Sequence, residues 1–189
     1  MPTYVGLLRA VNLGGGTQVR MEALRTLLEN SGLENVRTLL QSGNVVFQSA
    51  AVSGSELEGS LSEKIARTFR VKTELFLRSA AEWKTVIAGN PFPREAREDP
   101  AHLLVMVLRG SPGKAEWNAL DGAIRGRERV RGSGRHAYLV YPDGIGRSKL
   151  TTALIEAKLG TTGTARNWNT VLKLAQAAEE AGSSRPAAP

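Results

Sequence analysis

The feature that most constrains the fold is an order of hydrophobic periods that occurs twice. Thr3–Val11 reads as a buried strand ending at Asn12, and Met21, Leu24, Leu27 and Leu28 then mark one face of a helix. Val36–Leu40 and Val45–Ser49 flank Gln41-Ser42-Gly43-Asn44 as a hairpin, because Ser-Gly-Asn supplies residues that tolerate positive φ. Leu57, Leu61, Ile65 and Phe69 step by four along a second helix, and Lys72–Arg78 reads as a fourth strand. The second half repeats this order. Leu103–Arg109 is strand-like, Ser111-Pro112 opens a helix, and Arg127–Arg131 with His136–Tyr141 makes a hairpin across Gly132-Ser133-Gly134. Ser148–Leu159 is helical in pattern, and residues near Thr161–Thr164 can add a short strand. The expected fold is α+β, with two ferredoxin-like (β-α-β-β-α-β) halves, each followed by an extra helix.

The two extra helices share a pattern. Ser79-x-x-Glu82-Trp83 and Thr164-x-x-Asn167-Trp168 each offer a cap, a polar residue at N3 and tryptophan at N4. The final helix is expected to bury Trp168, Val171, Leu172 and Ala175 together. Residues 89–100 hold three prolines and five charges, which marks them as a linker. The expected organisation is an N-terminal half over 1–88, the linker over 89–100, a C-terminal half with its closing helix over 101–181, and a disordered tail over 182–189.

Composition narrows the function classes. The absence of cysteine excludes disulfides and thiolate metal sites. The strongest apolar run, Leu103–Leu108, is too short to cross a bilayer, and the N-terminus carries no basic, cleavable leader, so a cytoplasmic protein with no membrane partner is expected. The net charge of +7 is uneven: residues 125–166 hold nine basic residues against three acids. Such clustering fits a polyanionic partner, or alternatively a solvated basic surface.

Five stretches stand out as candidate sites, one of them the hairpin tip Gln41-Ser42-Gly43-Asn44, whose amide and hydroxyl groups neither strand needs and which is otherwise plain turn chemistry. Thr161–Thr170 is read as opening the C-terminal helix, whose unpaired N–H groups and dipole suit an anion. The loop Asn12-Leu13-Gly14-Gly15-Gly16 fits neither the P-loop nor the Gly-x-Gly-x-x-Gly pattern; it is a tight turn or a place of close ligand approach. Arg125, Arg127, Arg129 and Arg131 alternate, so in a strand they project from one face, as a polyanion-facing ridge or as charges guarding an edge. Arg147-Ser148-Lys149 opens a helix with Ser148 as cap; Lys149 opposes the dipole there, which a bound anion explains, as does a plain basic pair. Catalytic patterns are thin. Ser111-x-x-Lys114 lacks the fold that would use it, and His102 and His136 stand apart from any ligand set, so no metal site and no cofactor is expected.

Five motifs occur in order: Leu7–Gly15, Gln41–Phe47, Asn90-Pro91-Phe92, Ser148-Lys149-Leu150 and Thr164–Thr170. Together they resemble the bacterial domain-of-unknown-function family numbered 1697, over about residues 3–176. Ala10 stands where that family usually has glycine, and Ala165 where threonine is common. The resemblance implies an α+β protein of two ferredoxin-like parts and no established activity. Its motifs fall on Arg9, Asn12, Gly14, Gly15, Gln41, Ser42, Asn44, Lys149, Arg166, Asn167 and Asn169, a donor-rich set nearly free of acids. Such groups suit phosphate or carboxylate recognition and do not form a nucleophile–base pair. The expectation is an anion-recognition protein whose partner is nucleic acid or a phosphate-bearing small molecule. The alternative is an enzyme acting on a small anionic metabolite in a cleft between the halves.

Overall fold

Thr3–Leu8 (β1) is apolar on both faces, with Tyr4 and Leu8 on one side and Val5 and Leu7 on the other, all buried. A strand of that kind belongs in the middle of a sheet. The computed structural model of the chain, which describes residues 1–12, 18–50 and 54–183, places it there. Met21–Glu29 (α1) follows, then Glu34–Leu39 (β2), Asn44–Gln48 (β3), Gly54–Phe69 (α2) and Leu75–Ser79 (β4). The sheet order is β2-β3-β1-β4 with antiparallel pairs throughout, the ferredoxin-like arrangement. Met21, Leu24 and Leu28 of α1 and Leu61 and Ile65 of α2 bury against Tyr4, Leu8, Val45, Phe47, Leu75 and Leu77. Each such fully buried aliphatic chain contributes about 1.5–3 kcal/mol.

Ala80–Ala88 (α3) comes next, opened by the expected capping box: the Glu82 amide donates to Ser79 Oγ, and the Ser79 amide donates to Glu82 Oε2 at 2.7 Å. Pro93–Glu98 (α4) is a short helix inside the stretch that reads as linker. Then follow Leu103–Leu108 (β5), Lys114–Asp121 (α5), Arg129–Ser133 (β6), His136–Val140 (β7), Thr152–Leu159 (α6), Gly163–Asn167 (β8) and Trp168–Ser183 (α7). The second sheet has the order β6-β7-β5-β8, again antiparallel, so the repeat is present in full. The helix expected from Ser111-Pro112 starts two residues later, with Gly113 as its N-cap, and Pro112 instead accepts the Trp117 indole N–H at 3.2 Å.

Each repeat closes one sheet edge in the same way. On β4, the Leu75 amide donates to Ser62 Oγ at 2.9 Å and the Leu77 amide to Glu58 Oε2 at 2.6 Å, both on α2. On β8, the Gly163 amide donates to Glu156 Oε1 at 2.9 Å, on α6. Side chains of the packed helix thus take up strand N–H groups that would otherwise face a neighbour.

The chain divides into two units. One is Met1–Thr85 with Leu172–Pro189, the other Val86–Val171. The divisions fall inside α3 and α7, not at the 89–100 stretch. Within the first unit, Glu180 of α7 pairs with Arg37 and Glu179 with Lys84 at 3.3 Å. The apolar stripe of α7 is Trp168, Val171, Leu174, Ala178 and Ala181; the expected Leu172 is 44% exposed, because the helical phase set by Trp168 turns it outward. Of the tail expected over 182–189, residues 182 and 183 instead continue this helix, and 184–189 lie outside the described residues, as do Gly14 and Gly15.

Candidate anion-binding site

In the first unit the motif residues gather where β1 ends. The Leu8 amide donates to Gly43 O at 2.7 Å, which seats the β2–β3 hairpin tip against the strand. Asn12 brackets the loop: its Nδ2 donates to Val19 O at 3.0 Å and to Gln41 O at 2.7 Å, and its Oδ1 accepts the Val19 amide at 2.9 Å. Buried Asn44 donates from Nδ2 to Leu39 O and to Ser42 Oγ, each at 2.9 Å. These two asparagine amides therefore hold Val19 and the hairpin tip in place. Gln41 and Ser42 are exposed at the tip. Arg9 is half-buried, with its guanidinium 3.8 Å from Glu74 Oε1.

In the second unit the stretch Thr161–Thr170 differs from its sequence reading. Gly163, Thr164 and Ala165 pair with Leu108, Val107 and Met106, so Thr164 is a strand residue and not a cap. β5 needs partners on both sides, and pairing prevails over cap chemistry. The cap is Asn167, whose Oδ1 accepts the Thr170 amide at 3.0 Å, with exposed Asn169 in the first turn of α7. Arg166 therefore lies on β8, where burial brings its pKa down to about 10; its Nη1 donates to Thr164 Oγ1 and Ala165 O at 2.9 and 2.8 Å.

With Asn167 matched to Ser79, Arg166 matches Arg78, a residue that sequence reasoning passed over. Arg78 is 1% exposed and donates from Nη1 to Leu77 O at 2.6 Å. The strand registers then line up as Arg37–Val46–Val5–Arg78 in one sheet and Arg131–Tyr138–Val105–Arg166 in the other. The same row in each repeat begins and ends in arginine.

The alternating arginines separate. β6 holds only Arg129 and Arg131, and Arg125 and Arg127 belong to the loop before it. β6 is an edge strand. Arg129 pairs with Glu95 and lies 5.2 Å over the Phe92 ring, so residues 92–95 are packed against the sheet edge. The hydrogen bond from Arg129, the largest influence, holds the Glu95 carboxyl below its usual pKa.

Lys149 also moves. α6 is capped by Thr151, whose Oγ1 accepts the Leu154 amide, so Arg147 ends a short 3-10 turn over Ile145–Arg147 and Ser148-Lys149 precedes the helix as a loop. The loops 125–128 and 141–149 face each other across a pocket of about 220 Å³. Arg125, Arg127, Arg147 and Lys149 line it against only two acids, Glu128 and Asp143. Arg127 pairs with Asp143 at 3.0 Å. Among the described residues neither Arg147 nor Lys149 has an ion-pair partner, and both are exposed. Arg166 is not among the lining residues. At the pocket wall, buried Tyr141 donates to Leu150 O at 3.0 Å; burial, and then the Glu128 charge, push its pKa up to about 12, so the phenol keeps its proton.

A wider hollow of about 400 Å³ shares Arg127 and Pro142 with this pocket and mixes Arg94 and Arg129 with Glu95, Glu98 and Asp99. His102, which stands alone by sequence reading, has its Nδ1 2.8 Å from Asp99 Oδ2. Its Nε2 lies beside Gly144, at the pocket rim. The spacing of three residues is legible in the sequence, with Asp99 near the end of the stretch that reads as linker and His102 just past it. Among the described residues there is no group of three or more potential metal ligands, and no helix is long and apolar enough to cross a membrane.

With this geometry in hand, the chain can be placed among known proteins. It matches, over residues 1–138, the family described as protein of unknown function DUF1697, and belongs to it. A solved structure, the conserved bacterial protein SP0830 from Streptococcus pneumoniae, superposes with a TM-score of 0.76 at 21% identity, covering 95% of this chain and 99% of that one, and shows the same fold. A second, putative chlorite dismutase TA0507, aligns at a TM-score of 0.26 and 13% identity over 94% of this chain and 100% of that one, too low to carry an argument. No curated protein matches the chain.

Proposed function

We propose that this DUF1697 protein binds a small phosphate-bearing anion in the pocket between loops 125–128 and 141–149. The observation that supports the reading is the convergence of Arg125, Arg127, Arg147 and Lys149 on one concavity of about 220 Å³, three of them (all but Arg127) without ion-pair partners among the described residues. Cations held this close repel one another, an arrangement that a bound anion relieves. A small ligand fits better than a nucleic-acid strand. A strand needs a track of unpaired cations along the surface, whereas Arg129, outside the pocket, is engaged by Glu95.

Calorimetric titration with inorganic phosphate and pyrophosphate at low and high salt, beside a fluorescent oligonucleotide, tests this. Arg147→Gln and Lys149→Gln should each weaken pyrophosphate binding about tenfold, the worth of one charge-assisted hydrogen bond. Absence of binding at low salt, or variants that bind like the parent, refutes the proposal. Preference for the oligonucleotide returns the reading to nucleic acid.

The His102–Asp99 pair favours a second reading, an enzyme acting on the same class of ligand. A carboxylate on Nδ1 orients the ring and leaves Nε2 available as a base near the pocket rim. Turnover of a phosphate monoester that is lost in His102→Gln would support it. Equal turnover in that variant would remove it.

A further inference from the structure

The two loops of the pocket have no strand or helix of their own over most of their length, yet they must hold four cations close together. One carboxylate accounts for this. Glu128 Oε1 accepts the hydroxyl proton of Ser148, and Ser148 Oγ accepts the Leu150 amide at 2.9 Å, so one carboxylate joins the 125–128 loop to the 147–150 loop. The backbone closes tightly around the carboxylate. A Cβ added at Gly126 would overlap Glu128 Oε2, so a side chain there would displace the carboxylate from this position. Glu128 Oε2 is shut away from solvent without a hydrogen-bond partner among the described residues, a cost that a surface glutamate ordinarily avoids by turning outward. The Ser148 hydroxyl, and after it the Glu128 backbone amide, keep the carboxyl below its usual pKa. The group is thus charged at neutral pH, among cations that would otherwise push the loops apart.

We infer that Glu128 is the positioning residue of this pocket: through Ser148 it latches the Arg125/Arg127 loop to the Arg147/Lys149 loop and sets the spacing of the four cations. The inference rests on the anion-binding reading above. It carries an opposition that can be measured, because Glu128 acts on an anionic ligand in two contrary ways. Its charge repels the ligand, and its latch assembles the site. Glu128→Gln removes the charge and keeps an oxygen that accepts from Ser148, whereas Glu128→Ala removes both. Ser148→Ala removes the latch and keeps the charge.

The test is calorimetric titration of the full chain with inorganic pyrophosphate, with a thermal melt of each variant. Glu128→Gln should bind about three- to tenfold tighter, as expected for removing one unit charge several ångströms from the ligand in a partly solvated site. Glu128→Ala, at the same net charge, should bind at least tenfold more weakly than Glu128→Gln, and Ser148→Ala about fivefold more weakly than the parent. The Ser148→Ala effect should vanish in a Glu128→Ala background, since the two residues act as one link. Equal affinities for Glu128→Gln and Glu128→Ala, or an undiminished Ser148→Ala effect in that background, overturn the latch while leaving the anion-binding reading intact. A parent protein that binds no pyrophosphate at low salt takes down both. If Glu128→Ala fails to melt cooperatively, Ser148→Ala decides alone: parent-like affinity there refutes the latch.

Discussion

Ala10 stands at φ 54°, in the left-handed region, and its methyl group is exposed. For an L-residue that conformation costs roughly 1–2 kcal/mol, from the closeness of Cβ to the following carbonyl. The neighbours fix it in place: the Arg9 amide donates to Glu74 O at 2.9 Å on one side, and Asn12 is held on the other by three hydrogen bonds. Glycine at this position removes the steric cost, but it raises the conformational entropy of the unfolded chain, which returns about 0.4–1 kcal/mol. No buried area is lost. Ala10→Gly should therefore stabilise the protein by about 0.5–1 kcal/mol, or about 1–4 °C in Tm for a chain of this size. Ala10→Val should lose a comparable amount or more, because β-branched side chains crowd this region most. Urea titrations of the three proteins, followed by circular dichroism, measure the differences. A Gly variant less stable than the parent would mean that residue 10 is not left-handed, and the reasoning would fail.

Three further outcomes follow from the described contacts. Asn12→Ala removes two donors and an acceptor that hold residues 19 and 41, and should cost about 1–3 kcal/mol in urea unfolding, with faster amide exchange at Val19. Trp83→Ala empties a site 1% exposed and should cost about 3–5 kcal/mol by the same assay, so a loss below about 1 kcal/mol would deny its anchoring role. Glu95 has its folded pKa depressed by Arg129, so the stability it contributes is present above its unfolded pKa of about 4.3 and is lost as pH falls through the folded value. In Arg129→Met the melting temperature should fall less steeply below pH about 4.3 than in the parent; identical acid limbs would rule the pair out as a contributor.

The fold was legible because each repeat announces its elements by period and length: Leu57, Leu61 and Ile65 step as one helix face does, and the apolar run Leu103–Leu108 has the length of a strand covered on both faces. Boundaries set by competition were not. Thr164 looks like a helix cap until β5 is known to lack a neighbour, and that need is a property of the sheet. The same error hid Arg78, since aligning Thr164 with Ser79 displaces the repeats by three residues and puts Arg166 opposite Ala81. Lys149 does not oppose a helix dipole as its sequence position implies, because Thr151 and not Ser148 is the cap. Its company with Arg125 and Arg127 depends on loop closures such as Arg127–Asp143, sixteen residues apart, which leave no periodic trace. The three-residue spacing of Asp99 and His102 is legible in the sequence, but the prolines of 89–100 make the stretch holding Asp99 read as a linker.

The division of the chain inside α3 and α7 has a consequence for synthesis. Residues 86–171 form a continuous unit, whereas Met1–Thr85 is completed by Leu172 onward. On the ribosome, where about 5–20 residues are added each second, the first sheet must wait on the order of 5–20 s for the helix that supplies Leu174, Ala178 and Ala181 to its unit. The part of the protein made first is thus the part finished last. A chain stopped short of residue 172 would leave the ribosome with its second unit whole and its first lacking a wall.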